Sequence, residues 1–443
     1  MSPHSQRSAA ISAAFLAGAL AAAVPSASSA AEYSGYVDLG VEQQKTDWLM
    51  LIEPGFSMRS EMFDLNIAVP LRFDLSDSFN IWKKDWDHLS DAGRVLRNAS
   101  LRMNDDAFRM KLGVLTHTSF GHGTMVQGFI SSLDPDTMPM GASLFVQTGA
   151  VTVEAMASDI FGPEVFGGSV AVEPITLTGT NYDRLHLIAS FVADPSSPGE
   201  WHEDGTHDGS EWVFMYGFGI DWAVIRTDKW QLAPYFDANI NGRGYGFHLG
   251  LTADFLLDPV KLSFRGEWRW AKAPYAPDYF DLAYTIERKD WSPSTSLPVS
   301  QALALDEFNL HHSGKLEVRA ESGPVSATAV FAGIGQGLFN SSIVVNAHVK
   351  DFELSLFGAL RHFKFGHNPD RSMALGELRY RFQEYFYTWL TVGQLYRFNS
   401  DHRATPLFLW STGVGAAFLL QRQTPRKSVA ASIDSSGKAA GGS

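Results

Sequence analysis

Side chains able to do covalent or metal chemistry are sparse in this 443-residue sequence. It contains no cysteine, which removes disulfides, thiolate metal sites and cysteine nucleophiles together. Three groupings remain. His202, Glu203, Asp204, His207 and Asp208 combine imidazole and carboxylate donors, the chemistry that holds a divalent cation. They stand in a polar, glycine-bearing stretch that suits a solvated loop better, so no metal is expected there. His311, His312 and Ser313 set a hydroxyl beside imidazoles, as a nucleophile and its base require, yet no third partner can be assigned. Phe120 to Thr124 brackets a histidine with glycines but lacks the lysine and spacing of a phosphate-binding loop. No catalytic residue, metal or cofactor is assigned, and the chain is not expected to be an enzyme.

Charge placed at every second position is the more informative chemistry. Lys261, Arg265, Glu267 and Arg269 alternate with Val260, Leu262, Phe264, Gly266, Trp268 and Trp270. Asp64, Arg72 and Asp74 likewise alternate with Phe63, Leu65, Ile67, Val69, Leu71 and Phe73. A period of two puts the apolar and polar sets on opposite faces of one strand. Extended along the chain, the polar faces collect the basic residues Arg72, Arg102, Arg109, Lys111, Lys261, Arg265, Arg269, Lys315, Arg319, Arg361, Arg379 and Arg381. They also collect the acidic residues Asp38, Asp64, Glu154, Glu173, Asp221, Asp237, Asp254, Glu267, Glu317, Glu353 and Glu377. Unpaired charges in a dry interior cost many kcal/mol, so such faces need water or partners.

The elements that carry these faces are long strands. Segments of roughly 10 alternating residues match a tilted strand crossing a bilayer, whereas strands of globular proteins average nearer 5 or 6. The connections alternate as well. Asn104 to Asp106, Gln147 to Gly149, Arg226 to Lys229, Asp258-Pro259, Glu321 to Pro324 and Lys350-Asp351 are short. Between them lie the longer polar stretches near 74–94, 116–141, 194–211, 271–314 and 362–373. Outer-membrane barrels show this rhythm, with short turns in the periplasm and long loops outside. Carried to Leu420, it gives about 20 strands, an even number between 18 and 22. Three of the segments, near Leu49 to Ser57, Gly141 to Val146 and Ser341 to Val349, alternate weakly.

Arg7 precedes an apolar run from Ala9 to Val24, and Ser26 to Ala30 are small, the pattern of a signal peptide cleaved after Ala30. Residues 1–30 are therefore read as signal peptide, 31–420 as barrel and 421–443 as a disordered polar tail in the periplasm. After the N-terminal run no stretch approaches the roughly 18 apolar residues of a membrane helix. The formal charge of −13 with scattered basic residues gives no reason to expect nucleic-acid binding.

Trp230, Tyr235, Trp268, Trp270, Tyr385, Tyr387 and Trp389 fall near predicted strand ends, as an aromatic girdle at the headgroup boundary would. With the leader, the alternation, the turn rhythm and the lack of cysteine, the chain resembles a bacterial outer-membrane β-barrel of the porin type. It departs from that type in ending on a polar tail instead of a terminal Phe. The resemblance implies an all-β, antiparallel up-and-down transmembrane barrel in the outer membrane, inserted by the barrel assembly machinery and compatible with a homo-oligomer. The function expected is passive diffusion of small hydrophilic solutes through a charged, hydrated lumen. The alternative is a non-conducting surface barrel acting through its loops as adhesin, receptor or envelope structure. Within the channel reading, the loop from Thr116 to Met140, carrying Asp134 and Asp136, is a candidate constriction loop.

Overall fold

A computed structural model describes residues 31–422, apart from 45, 77–78, 87–90, 134–137, 179–183, 199–209, 243, 273–274, 289–290, 293–296, 299–309, 336, 368–370 and 399–403. The expected signal peptide and the tail from residue 423 onward lie outside the described residues, as do Asp134, Asp136 and the cluster from His202 to Asp208.

Twenty long antiparallel strands form the wall. The first five are β1 (Glu32–Gln44), β2 (Asp47–Arg59), β3 (Phe63–Ala68, continued by Leu71–Asp74), β4 (Leu96–Met103) and β5 (Phe108–Gly113). Next come β6 (Gly141–Thr148), β7 (Val151–Ala157), β8 (Phe166–Val172), β9 (Leu185–Pro198) and β10 (Ser210–Trp222). The third group is β11 (Trp230–Asn241), β12 (Gly244–Leu257), β13 (Val260–Lys272), β14 (Leu310–Ser322) and β15 (Val325–Gly335). The last are β16 (Leu338–Val349), β17 (Phe352–Phe363), β18 (Arg371–Arg381), β19 (Phe386–Phe398) and β20 (Ala404–Arg422). Each pairs with its neighbour, and β1 closes the sheet on β20 through a ladder from Glu32↔Arg422 to Gln44↔Leu409. Closure leaves no free edge, the condition for a sheet to stand in hydrocarbon.

Pro70 interrupts β3, because it has no N–H to give the ladder, but the two pieces keep one parity. The three weakly alternating segments are all strands, β2, β6 and β16. β20 runs past the expected boundary at Leu420 to Arg422.

Burial separates the two faces. On β10, Trp212, Phe214, Tyr216, Phe218, Ile220 and Trp222 are exposed, while Val213 and Met215 between them are buried. Phe218 is 64% exposed, which for a large ring is tenable only against lipid. No helix among the described residues is long and apolar enough to cross a membrane. The closed sheet, with its apolar exterior, does the spanning.

β13 carries the clearest facing test. Phe264 is exposed on the outer face, four positions from the Asp258-Pro259 turn, and Arg265 beside it points inward. Phe264→Arg is expected to destabilise the barrel by about 2 kcal/mol, short of the full midplane cost because the turn is near. Unfolding by urea in micelles, followed by tryptophan fluorescence, measures it. A cost near zero would show that the outer face of β13 is not in lipid.

Candidate functional site: a strapped lumen

Two of the long loops turn into the barrel, one of them the described part of the candidate constriction loop. The first follows β5, from Val114 to Leu133, and the second follows β13, from Tyr275 to Arg288. They join inside through a short parallel pairing, Phe280↔Val126 and Asp281↔Gln127. The loop 271–314 thus corrects the outward placement: its described part crosses the lumen. The reason is apolar. Phe120, Met125, Val126, Phe129, Tyr275, Tyr279, Phe280 and Tyr284 pack on Met156, Val192, Val213 and Met215, which face inward from β7, β9 and β10. On the far side Ile130, Leu282, Ala283 and Ile286 pack on Ala359, Met373, Leu395 and Leu407. Inward wall positions are therefore not uniformly polar, and the apolar ones are where the loops sit.

Ion pairs anchor what the apolar contacts place. At one end of the second loop Arg288 donates to Asp194 on β9 at 2.9 and 3.1 Å, and the Tyr284 hydroxyl adds a bond at 2.7 Å. Toward the opposite wall Arg361 on β17 reaches Asp281, midway along the loop, at 2.6 Å and Glu287, next to Arg288, at 2.9 Å, and Tyr396 on β19 donates to Glu287 at 2.7 Å. β9 and β17 stand on opposite sides of a 20-strand ring, so Tyr275–Arg288 is a strap across it.

At the start of the second loop lies a largely buried knot. Arg269 donates to Glu267 and, at 2.7 Å, to Asp278 of the strap, while Lys315 reaches the same carboxylate at 2.9 Å. Glu267 also accepts from Tyr235 and contacts His248 at 3.0 Å, and His248 meets the Tyr275 hydroxyl at 2.7 Å. Asn239 donates to Tyr275 at 3.0 Å and to Thr124 at 2.9 Å, tying both loops to β11.

His122 is the latch of the first loop. Gly121 and Gly123 flank it at φ of 49° and 69°, a conformation that side-chain-bearing residues rarely adopt. The turn points its ring at the wall, with Nδ1 2.9 Å from Asp237 and Nε2 3.2 Å from Asp221. It stacks on Tyr235 with centroids 4.1 Å apart. Both ring nitrogens face carboxylates, so both must carry protons. Burial disfavours the cation, but hydrogen bonds and charge from Asp221 and Asp237 prevail and push the imidazole, on its loop outside the spanning strands, up to about 9.

The remaining expected lumen charges fall as follows. Arg72 pairs with Glu42 at 3.1 Å and with Asp85 of the β3–β4 loop at 3.0 Å. Arg265 donates to Glu317, to Gln127 at 2.6 Å and to the His122 carbonyl. Arg319 pairs with Glu321. The register sets Lys261 opposite Glu321, Glu353 opposite Arg379, and Arg381 opposite Tyr387. Glu377 and Arg379 stand 3.8 Å apart, and the Arg379 guanidinium lies over the Tyr387 ring at 5.0 Å. Arg102, Arg109 and Lys111 lie together on one wall, and among the described residues none of them has an ion-pair partner. Arg102 and Arg109 are cross-strand neighbours, and the Arg109 guanidinium lies 4.0 Å over Phe145.

Three girdle assignments are corrected. Tyr235 is 3% exposed, Tyr387 5% and Trp389 9%, and all three point inward. Their parity is that of Asp237 and Thr391, and interior glycines make the room: a Cβ at Gly250 would lie 2.1 Å from Tyr235, and one at Gly415 2.3 Å from Tyr387. Trp230, Trp268 and Tyr385 are exposed, and Trp270 shares the outer face of Trp268. His312 packs outside on Trp268 and Trp270, whereas Ser313 pairs opposite Arg269 on the inner face, so the two do not form a nucleophile and base. Among the described residues no group of three His, Asp or Glu side chains is placed to hold a metal.

Among the cavities bordered by described residues, two lie beside the inward loops. One of about 350 Å³ lies between the strap and β14–β17. Another of about 390 Å³ lies against β4–β7 and includes Arg102, Arg109, Lys111 and Glu154. His117 and Ser119 of the first loop line both. Sequence reasoning missed His248, Asp278, Asp281 and Glu287 as site residues; it placed Tyr235 in the girdle and noted the glycines around His122 without giving the histidine a role.

No protein-family model matches the chain, and no curated protein matches its sequence. Among solved structures it is similar to OccK11 (OpdR), OccK5 (OpdH) and OpdL, all of Pseudomonas aeruginosa. Each is 9% identical and aligns over 89% of this chain and 96%, 98% and 100% of its own, with TM-scores of 0.36, 0.36 and 0.35. The closed pairing and the apolar exterior of the chain itself make it a membrane-spanning β-barrel.

Proposed function

We propose that this barrel is an outer-membrane channel through which small hydrophilic solutes diffuse passively, and that it is not an enzyme. The observation that carries the reading is the pair of polar cavities left beside the strap. A barrel serving only as an outer scaffold has no need of lumen space lined by charged and hydroxyl side chains. The short turns belong in the periplasm and the loop ends outside. Ionic conductance of the purified protein in a planar bilayer tests the reading. Silence over a wide voltage range would overturn it in favour of a surface barrel acting through its loops.

Selectivity follows from which charges are left unbalanced. Arg265 and Arg269 are spent on Glu317, Glu267 and Asp278, so the ion-attracting set reduces to Arg102, Arg109 and Lys111. Replacing all three with glutamine is expected to move the reversal potential toward cations. The shift should shrink as salt rises, because the Debye length falls from about 10 Å at 0.1 M to about 3 Å at 1 M. An unchanged reversal potential at low salt would show that solutes do not pass this wall.

A further inference from the structure

The cavity between the strap and β14–β17 has a lining unlike the rest of the lumen. From the wall it receives Ser326 and Thr328 on β15, and Asn340, Ser342 and Asn346 on β16, with the small apolar Val330, Ala332 and Val344 between them. These side chains are short, which leaves space beside the strap. Among the described residues, the hydroxyls of Ser326, Thr328 and Ser342 make no hydrogen bond to protein. Asn346 and Asn340 each accept one bond, from the Ser355 hydroxyl at 3.0 Å and the His362 amide at 3.0 Å, which leaves their amide N–H groups to donate.

The charges that border this cavity are already matched. Asp278 is held by Arg269 and Lys315, Asp281 by Arg361, Glu317 by Arg265 and Gln127, and the bordering cation Arg319 by Glu321. The cavity therefore offers free hydroxyls and amides within a balanced electrostatic frame, in contrast to the unpaired cations beside β4–β7. An ion entering it would shed water without gaining a free counter-charge, whereas a solute rich in hydroxyls exchanges water for equivalent partners. At about 350 Å³ it lies near the small end of ligand pockets, about 300–1,000 Å³, and suits a single small molecule.

We propose that this groove is a binding station for an uncharged polyhydroxylated solute, a sugar alcohol or monosaccharide, held by Thr328, Ser342 and Asn346. The proposal rests on the channel reading for its place in transport but not for the binding itself.

Two measurements on the full-length protein separate the two claims. Saturation-transfer NMR in detergent micelles reads binding of mannitol, with gluconate as its carboxylated counterpart and a probe of charge. Planar-bilayer KCl conductance reads whether mannitol reduces current with a saturating dependence beyond the linear effect of viscosity. Mannitol is expected to bind with an affinity insensitive to salt, and T328V/S342A is expected to weaken it about five- to twentyfold, the loss of two hydrogen bonds. Heat-modifiable migration in detergent gels verifies that the variant is folded, and Asn346→Leu provides a second variant. Binding without any KCl conductance would keep the station and overturn the channel. Conductance without mannitol binding, or binding of gluconate alone, would overturn the station and leave the channel standing.

Discussion

Arg269→Leu is expected to destabilise the folded barrel by about 3–5 kcal/mol, the cost of leaving one side of a buried ion pair uncompensated. Its guanidinium is fully buried and is the bridge between Glu267 on the same strand and Asp278 on the strap. Removing it leaves both carboxylates beside Lys315, which contacts Asp278 directly but not Glu267. The loss should appear as a lower urea midpoint in micelles and as noisier current, because the strap loses its tether near Tyr275. Adding Asp278→Asn to Arg269→Leu removes an uncompensated charge and should recover part of the stability. A cost below about 1 kcal/mol would mean that water reaches the knot and that the strap is not held there. The same logic revises the expectation for Arg265, which on parity alone is an exchangeable lumen residue. Arg265→Leu leaves Glu317 with Gln127 alone and removes a donor to the His122 carbonyl, so it is costlier than a free exchange though below Arg269→Leu, because this pair is only partly buried.

How much of this was legible in the sequence differs between wall and interior. The dyad pattern from Val260 to Trp270 is visible because one face meets lipid along its whole length, and lipid tolerates no charge there. The rhythm of turns is visible because a two-residue connection such as Asp258-Pro259 is chemically distinct from a polar loop. Alternation tells which residues share a face, but the inward placement of Tyr235, Tyr387 and Trp389 turns on a glycine across the strand, as at Gly250 and Gly415. An aromatic ring near a strand end reads as a girdle until that cross-strand partner is known. Met215, Leu395 and Leu407 were assigned no inward role for a related reason: a lumen filled by its own loops needs apolar seats, and an apolar inward residue looks like a lipid-facing one. The strap itself was hidden because Asp194, Glu287 and Arg361 are far apart in the chain, and nothing local to any of them announces the other two.

Raising the pH from 7 to 10 is expected to loosen the first loop and increase conductance, with His122 as the titrating group. Its ring must donate from Nδ1 to Asp237 and from Nε2 to Asp221, which only the imidazolium can do. Every element packed against it favours that cation or leaves it unopposed. Asp237 is steadied by the Thr124 hydroxyl at 3.1 Å, Asp221 is shared with His186 at 2.6 Å, and Tyr235 presents its ring face. Arg265, the nearby cation, binds the His122 carbonyl instead of crowding the ring. A group whose affinity for a proton is raised on folding stabilises the folded form fully below its unfolded value, here 6.5, and loses that contribution as pH climbs through about 9. The window is thus about 7 to 10, and the contribution at stake is at most about 3 kcal/mol. His122→Gln keeps one donor and cannot titrate, so its conductance should lie above the native value at pH 7 and stay level to pH 10. If native conductance is flat across this range, or if His122→Gln follows the native rise, the latch is not held by an imidazolium and the loop owes its position to the apolar seat formed by Val192, Val213 and Met215.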